Sequence, residues 1–273
     1  MNRQTTPWWA QTAGVLAVVG AIGIGAYVAR SGKPPSVQVP STSATAPAPT
    51  SGPAAPIEHP IELAQAGGTD SGTPLPTLEA SDAAVLEALA AMLGGDAFAA
   101  LMNPQHVIQR IVVTIDNLPR PKLAIDTIPV RGAEGAFGTT TQGQQRAIDE
   151  KNYARYAPYI RIAQAIDAKA VVAWYVRYYP LFQESYRQLG YPDGYFNDRL
   201  VVVIDHLLAT PDLAQPVALT QPNVMYEYAD PTLESRSAGQ KLLIRSGPEN
   251  EALIKTKLRE IRAALTGQAL PPA

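Results

Sequence analysis

The chain has 273 residues, 46% of them hydrophobic, with 22 Lys and Arg against 24 Asp and Glu and no cysteine. Without cysteine there is no disulfide framework, no cysteine nucleophile and no thiolate zinc site. A formal net charge of −2 gives no overall basic excess of the kind nucleic acid selects, so no nucleic-acid partner is expected.

After a tail of residues 1–7, the first element is apolar. Trp8 to Ala29 is 22 residues without a charged side chain. As a helix it spans roughly 33 Å, which matches the hydrocarbon core of a bilayer. Trp8 and Trp9 suit one membrane interface, and Arg30 and Lys33 reach headgroups at the other. The alternative is a cleaved signal peptide. The run is long for that, and Tyr27 stands where a cleavage site needs a small side chain. Residues 8–29 therefore read as a single-pass transmembrane helix whose partner is the lipid bilayer.

Basic residues are balanced across this run, with Arg3 and the terminal amine before it and Arg30 and Lys33 after it. Charge alone thus leaves its orientation open. The short tail, and the absence of Lys and Arg from Pro34 to Ser81, favour a cytoplasmic N-terminus and an exported domain. That would be a periplasmic domain on a bacterial inner membrane. Ala13, Ala17, Ala21, Gly25 and Ala29 recur at every fourth position, a small-residue stripe of the kind that lets anchors self-associate. Small residues are so common in this segment that chance produces such a stripe easily.

Residues 30–80 are rich in Pro, Ala, Ser and Thr and carry little to bury. This composition is expected to form a disordered linker, spanning on the order of 40 Å as a flexible coil. His59 falls in it and reads as solvated.

Residues 81–265 have the size of one domain, followed by a tail of residues 266–273. From Ser81 onward there are 19 Lys and Arg against 20 Asp and Glu. The predicted fold class is mainly α, a compact multi-helix domain with at most a small β-hairpin. Ser81 caps a helix carrying Val85, Leu89 and Leu93, which Gly94-Gly95 stops. Asn103-Pro104 opens a second, with Val107, Ile108, Ile111, Val112 and Ile115 on one face, ended by Pro119. Residues 119–145 read as a long loop, with a short strand near Ile125 to Val130.

Pro158 starts a helix to Ile166, and Asp167 caps the next, which runs towards Leu189 and kinks or breaks at Pro180. Tyr191-Pro192-Asp193-Gly194 reads as a turn in which Gly194 takes a positive φ. Phe196 to Leu208 is an amphipathic helix. Val217 to Leu219 and Val224 to Tyr228 are the credible strands. Asp230-Pro231 opens a helix to about Arg245, and Pro248 to Leu265 is the last.

The catalytic inventory is thin. His106 and His206 lack any metal-ligand spacing and read as helix-face residues. Asp198 and Asp205 share a helix face about 10.5 Å apart, farther than paired glycosidase carboxylates, and read as a solvated acidic face. Gly132, Gly135 and Gly138 lack the lysine and the strand-helix context of a phosphate loop. No catalytic residue, cofactor or metal is assigned.

Eleven of the 12 tyrosines lie between Tyr153 and Tyr228, interleaved with arginines. A tyrosine-lined groove could grip a sugar or peptide. The spacing of Tyr175, Tyr179, Phe182 and Tyr186 favours one core-facing stripe instead. Glu234, Lys241 and Arg245, seven and four apart on one predicted helix face, read as a charged face or as a clamp for a small anion. Arg155 and Tyr191 complete the candidate binding residues.

Several runs resemble one bacterial envelope family: Asn152-Tyr153-x-Arg155-Tyr156, Tyr179-Pro180-Leu181, Tyr186-x-x-Leu189-Gly190-Tyr191-Pro192, Phe196-Asn197, Asp230-Pro231-x-Leu233-Glu234 and Gly239-Gln240-Lys241-x-Leu243-x-Arg245. This is the domain-of-unknown-function family 3014. The likeness covers most of the globular region and is weakest between Lys122 and Gln145. It implies the same layout, one membrane helix and a Pro-rich linker, and carries no activity.

Two readings stay open. One is a membrane-tethered, non-enzymatic interaction domain of the cell envelope, binding a protein or a cell-wall component. The other is an enzyme acting on an envelope polymer through carboxylates.

Overall fold

A computed structural model describes residues 56–64, 74–223 and 225–268. The expected anchor at 8–29, with Trp8, Trp9, Arg30, Lys33 and the small-residue stripe, lies outside them. Among the described residues no helix is long and apolar enough to cross a membrane.

The described residues form ten α-helices and a four-stranded antiparallel sheet. In chain order the elements are α1 Asp82–Leu93, α2 Asp96–Ala99, α3 Val107–Asn117, β1 Thr139–Gln142, β2 Gln145–Ile148, α4 Lys151–Ala154 and α5 Ala157–Ala165. They continue with α6 Ala168–Gln188, α7 Phe196–Leu208, β3 Ala218–Thr220, β4 Glu227–Tyr228, α8 Pro231–Glu234, α9 Ala238–Ser246 and α10 Pro248–Thr266.

Helix boundaries follow local chemistry where the cap is local. The Asp167 carboxylate accepts the N–H groups of Lys169 and Ala170 and opens α6, and the Asp230 carboxylate accepts the Thr232 N–H and opens α8. Ser237 caps α9 through the Gln240 N–H. This cap splits the single helix expected from Asp230 to Arg245 into α8 and α9. α3 is capped from a distance: both Asp82 oxygens accept N–H groups, of His106 and Val107, each at 2.8 Å. Ser81 itself caps nothing; its hydroxyl donates to the Leu78 carbonyl. α6 runs through Pro180 as one helix, because the proline lies on its exposed side.

The expected hairpin is one half of the sheet. β3 pairs with β4, and also with β2, which pairs with β1, in the order β1-β2-β3-β4. The β1–β2 hairpin falls in and beside the segment expected to be a loop. Its outer strand reads TTTQ, polar enough to look like a loop. Of the short strand expected near Ile125 to Val130, residues 125–127 form one 3₁₀ turn and Val130 makes an isolated antiparallel bridge to Met102.

The main core gathers α1, α3, α5, α6, α7, α9 and α10. Its centre is aromatic: Phe182 and Phe196 are fully buried and stacked at 5.8 Å. Tyr175, Tyr179 and Tyr186 are all under 10% exposed, so the tyrosine stripe is core. A second cluster under the sheet holds Ile148, Val217, Leu219, Tyr228, Leu233 and Ile244.

Two helices set the long axis of the site. α7 and α10 run antiparallel, because Asp205 pairs with Arg262 while the Thr210 carbonyl, past the end of α7, accepts from Lys255. Lys255 also pairs with Glu251 at 2.7 Å and Asp212 at 2.8 Å.

Packing reaches back into the expected linker. Leu78 is 1% exposed in the main core. Farther back, residues 58–61, a bend leading into a 3₁₀ turn, lie against the start of α7. The Asp198 carboxylate accepts the N–H groups of Glu58 at 3.1 Å and His59 at 2.6 Å. The Tyr195 hydroxyl accepts the Ile61 N–H at 3.0 Å, and the Asn197 amide donates to the His59 carbonyl at 2.8 Å. Asp198 therefore grips backbone and Asp205 pairs with Arg262; the solvated acidic face expected of them is not what the fold makes.

Candidate functional site

The described chain is cut by a cleft of about 600 Å³ between α4–α5 on one side and the α9–α10 junction on the other. Its apolar lining is Ala154, Ala157, Ile160 and Tyr153. Its rim is polar: Glu150, Arg161, Gln164, Gln215, Glu249 and Asn250.

The geometry follows from Gly247. This residue links α9 to α10 with φ 92° and ψ 158°, a conformation open essentially to glycine. A Cβ there would lie 2.5 Å from the Tyr153 ring, so the ring is laid flat against bare backbone. The Tyr153 hydroxyl donates to Gln215 Oε1 at 2.6 Å, and the Asn250 amide donates to the Tyr153 carbonyl at 3.2 Å. Tyr153, through its ring, hydroxyl and backbone carbonyl, thus ties α4, the loop before β3 and the start of α10 into one wall. Burial, then the Glu150 charge, raise the Tyr153 pKa, so the phenol stays protonated at neutral pH.

The rim charges differ from those of the interior. Glu150, Arg161 and Glu249 make no side-chain hydrogen bond or ion pair with another described residue, and neither does the Gln164 amide. In a shallower depression of about 460 Å³ beside α6 and α10, which Lys169 and Lys257 both line, Lys257 pairs with Glu260 at 2.7 Å and donates to the Ile166 carbonyl.

None of the five binding candidates lines the cleft, and the fold brings only three of them together. Arg155 donates to the carbonyls of Ala133, Glu134 and Gly135, gathering the loop ahead of β1. Tyr191 stacks on Tyr186 at 4.6 Å and donates to Asp116 Oδ2 at 3.3 Å. Asp116 is buried and also takes Arg199 at 2.9 Å and Arg120 at 2.6 Å.

Glu234, Lys241 and Arg245 converge on Tyr228. Lys241 pairs with Glu234 at 2.8 Å, Glu234 accepts the Tyr228 N–H at 2.9 Å, and the Arg245 guanidinium sits 5.3 Å from the Tyr228 ring centre. Burial works to raise the Glu234 pKa. The Lys241 and Tyr228 hydrogen bonds and the Lys241 and Arg245 charges outweigh it and hold the carboxyl below its usual range. The cluster pins α8 and β4 to α9, and its charges are spent on one another.

Of the cleft residues, Tyr153 and Arg161 belong to the tyrosine- and arginine-rich stretch singled out in the sequence, though neither was a binding candidate. The rest come from three stretches far apart in the chain, at 150–164, 215 and 246–250. The one local signal was Gly247-Pro248, read only as a helix boundary. Gly194 has its own reason: its φ is not positive, and a Cβ there would meet the Tyr186 ring at 2.8 Å, so the turn needs glycine for space.

Compared with known families, residues 107–262 match the family described as Protein of unknown function (DUF3014). The matched span includes 122–145, where the sequence likeness was weakest, and takes in every residue of the cleft. No curated protein and no solved structure matches the chain.

Proposed function

We propose, starting from a chain that belongs to the DUF3014 family of proteins of unknown function, that it is a non-enzymatic interaction domain of the bacterial cell envelope. In this reading it is tethered to the inner membrane by residues 8–29, and its cleft takes a protein segment or a cell-wall component.

The observation that carries the reading is where the two ends of α10 lie. The cleft is at the start of α10, beside Asn250. The segment arriving from the expected anchor is gripped by Asp198 at the start of α7. Asn250 to Arg262 is about 18 Å along α10, and Asp205 to Asp198 adds about 10 Å in the same direction. Tether and cleft thus sit about 28 Å apart at opposite ends of one helix pair. A domain hung from a membrane in this way turns its open cleft outward, towards partners in the envelope.

The enzymatic alternative has Glu150 and Glu249 as the carboxylates of the cleft, since Asp198 and Asp205 are engaged elsewhere. The unaltered chain is expected to leave envelope polymer chemically unchanged. A cleavage activity that is lost in an E150Q/E249Q variant would favour the enzyme.

The test is made in cells. A photocrosslinking residue at Gln164 is expected to capture an envelope species, and external protease is expected to digest the domain in spheroplasts. A domain protected from protease would overturn the localisation, and a crosslink obtained from Val202 but never from Gln164 would overturn the cleft as the binding surface.

A further inference from the structure

We infer that the cleft binds a short peptide bearing a free ammonium group and a free carboxylate, a zwitterionic ligand rather than a sugar chain or a polyanion. The inference rests on the reading of the cleft as the binding surface and adds the class of ligand.

The free groups of the rim set the class. Two carboxylates, Glu150 and Glu249, face the cleft together with one guanidinium, Arg161. None is paired within the described chain. Several charges of the fold itself are neutralised at close range: Asp116 by two arginines, Lys255 by Glu251 and Asp212, Glu234 by Lys241, Asp205 by Arg262. The cleft rim brings unpaired charge of both signs into one concave site. Two acids to one base disfavour phosphates and other polyanions, while an ammonium and a carboxylate on one ligand would satisfy both signs.

The remaining lining suits a peptide backbone. Gln164, the Nε2 of Gln215 and the Oδ1 of Asn250 are amide groups left without partners among the described residues. They offer both donors and acceptors to peptide N–H and C=O groups. Ala154, Ala157 and Ile160 give the lining an apolar part against which small side chains of a ligand can pack. At about 600 Å³ the cleft falls in the range of small-ligand sites, roughly 300–1,000 Å³, and admits a few residues rather than a folded partner.

A sugar would need an open aromatic face to stack on. Tyr153 is the only aromatic lining the cleft, and its ring is laid against Gly247 with its hydroxyl tied to Gln215.

The experiment is a calorimetric or NMR titration of the full chain in detergent with three probes. They are the tetrapeptide Ala-Ala-Lys-Ala with free ends, N-acetyl-Ala-Ala-Ala-Ala-amide, and tetra-N-acetylchitotetraose. The free peptide is expected to bind, with the capped peptide and the sugar weaker by tenfold or more. Arg161→Gln and Glu249→Gln are expected each to weaken the free peptide about three- to tenfold, as partly exposed ion pairs do. Both sites are exposed, so circular dichroism should be unchanged.

Equal binding of the capped peptide, or no effect of either variant, would overturn the zwitterionic class. Binding of the sugar alone would overturn it while leaving the cleft a binding site. Failure of all three probes alongside a cellular crosslink from Gln164 would discard the ligand class and keep the functional reading. Failure of both would discard the two together.

Discussion

At the scale of single residues, two positions expose the forces that shape the site. Gly247 combines a φ of 92° with a Tyr153 ring 2.5 Å from where a Cβ would stand. Gly247→Ala meets both a backbone penalty and a clash, and is expected to destabilise the domain by about 3 kcal/mol. A calorimetric melt checks this; a loss below about 1 kcal/mol would mean the ring moves aside freely.

His206 faces Ser237 at 2.8 Å. Its pKa is held below 6.5, first by burial and then by repulsion from Arg199 and Arg236. The unfolded chain takes up a proton as the pH falls through 6.5, and the folded chain takes it up only further down. The stability His206 contributes is therefore complete above that pH and lost progressively below it. In His206→Gln the drop in melting temperature between pH 7.5 and 5.5 is expected to shrink. An unchanged drop would place the acid sensitivity elsewhere.

At the scale of elements, the segment 58–61 and α7 make a clip. Asp198 accepts two of the segment's N–H groups, and Tyr195 and Asn197 add a bond each. Asp198→Ala removes half of these bonds without touching the core. The amides of Glu58, His59 and Ile61 are expected to lose hydrogen-exchange protection and the segment to become cleavable by protease, while α7 keeps its protection. Retained protection at Glu58 and His59 would show that apolar packing of the segment, not Asp198, holds it.

The elements also show how far sequence reasoning reached. α6, α7 and α10 were legible almost to the residue because each buries a long apolar stripe at helical spacing and most have local stop signals, while α3 starts at Val107, later than the Asn103-Pro104 opening expected of it. The β1–β2 hairpin was not legible. Its inner strand is held by β3, some 70 residues later in the chain, and only its last two residues are buried.

At the scale of the molecule, the clip changes what the tether is. If residues 8–29 anchor the chain, the length that sets reach ends at residue 58 rather than at 80. Twenty Gly and Ser residues inserted before Pro56 are expected to raise the domain above a nanodisc surface, read by energy transfer from a dye at Gln164 to the lipid. The same insertion between residues 65 and 73 is expected to leave that distance unchanged while the clip holds. Equal effects of the two insertions would mean that the clip carries no load.

What the sequence by itself determined is whatever depends on neighbours along the chain. That covers the apolar run at 8–29 as a candidate anchor, the absence of thiol chemistry, the long helices, and the tyrosine stripe Tyr175, Tyr179, Phe182 and Tyr186 as core. Tertiary structure decided everything that depends on meetings across the chain. It spent the charges of Arg155, Glu234, Lys241 and Asp198 on the fold, although nothing in their spacing told structural charge from functional. It left Glu150, Arg161 and Glu249 unspent, and gathered them from distant stretches into one cleft. Pairing energy between charges is set by distance and burial in space, and sequence spacing fixes neither beyond a few helical turns.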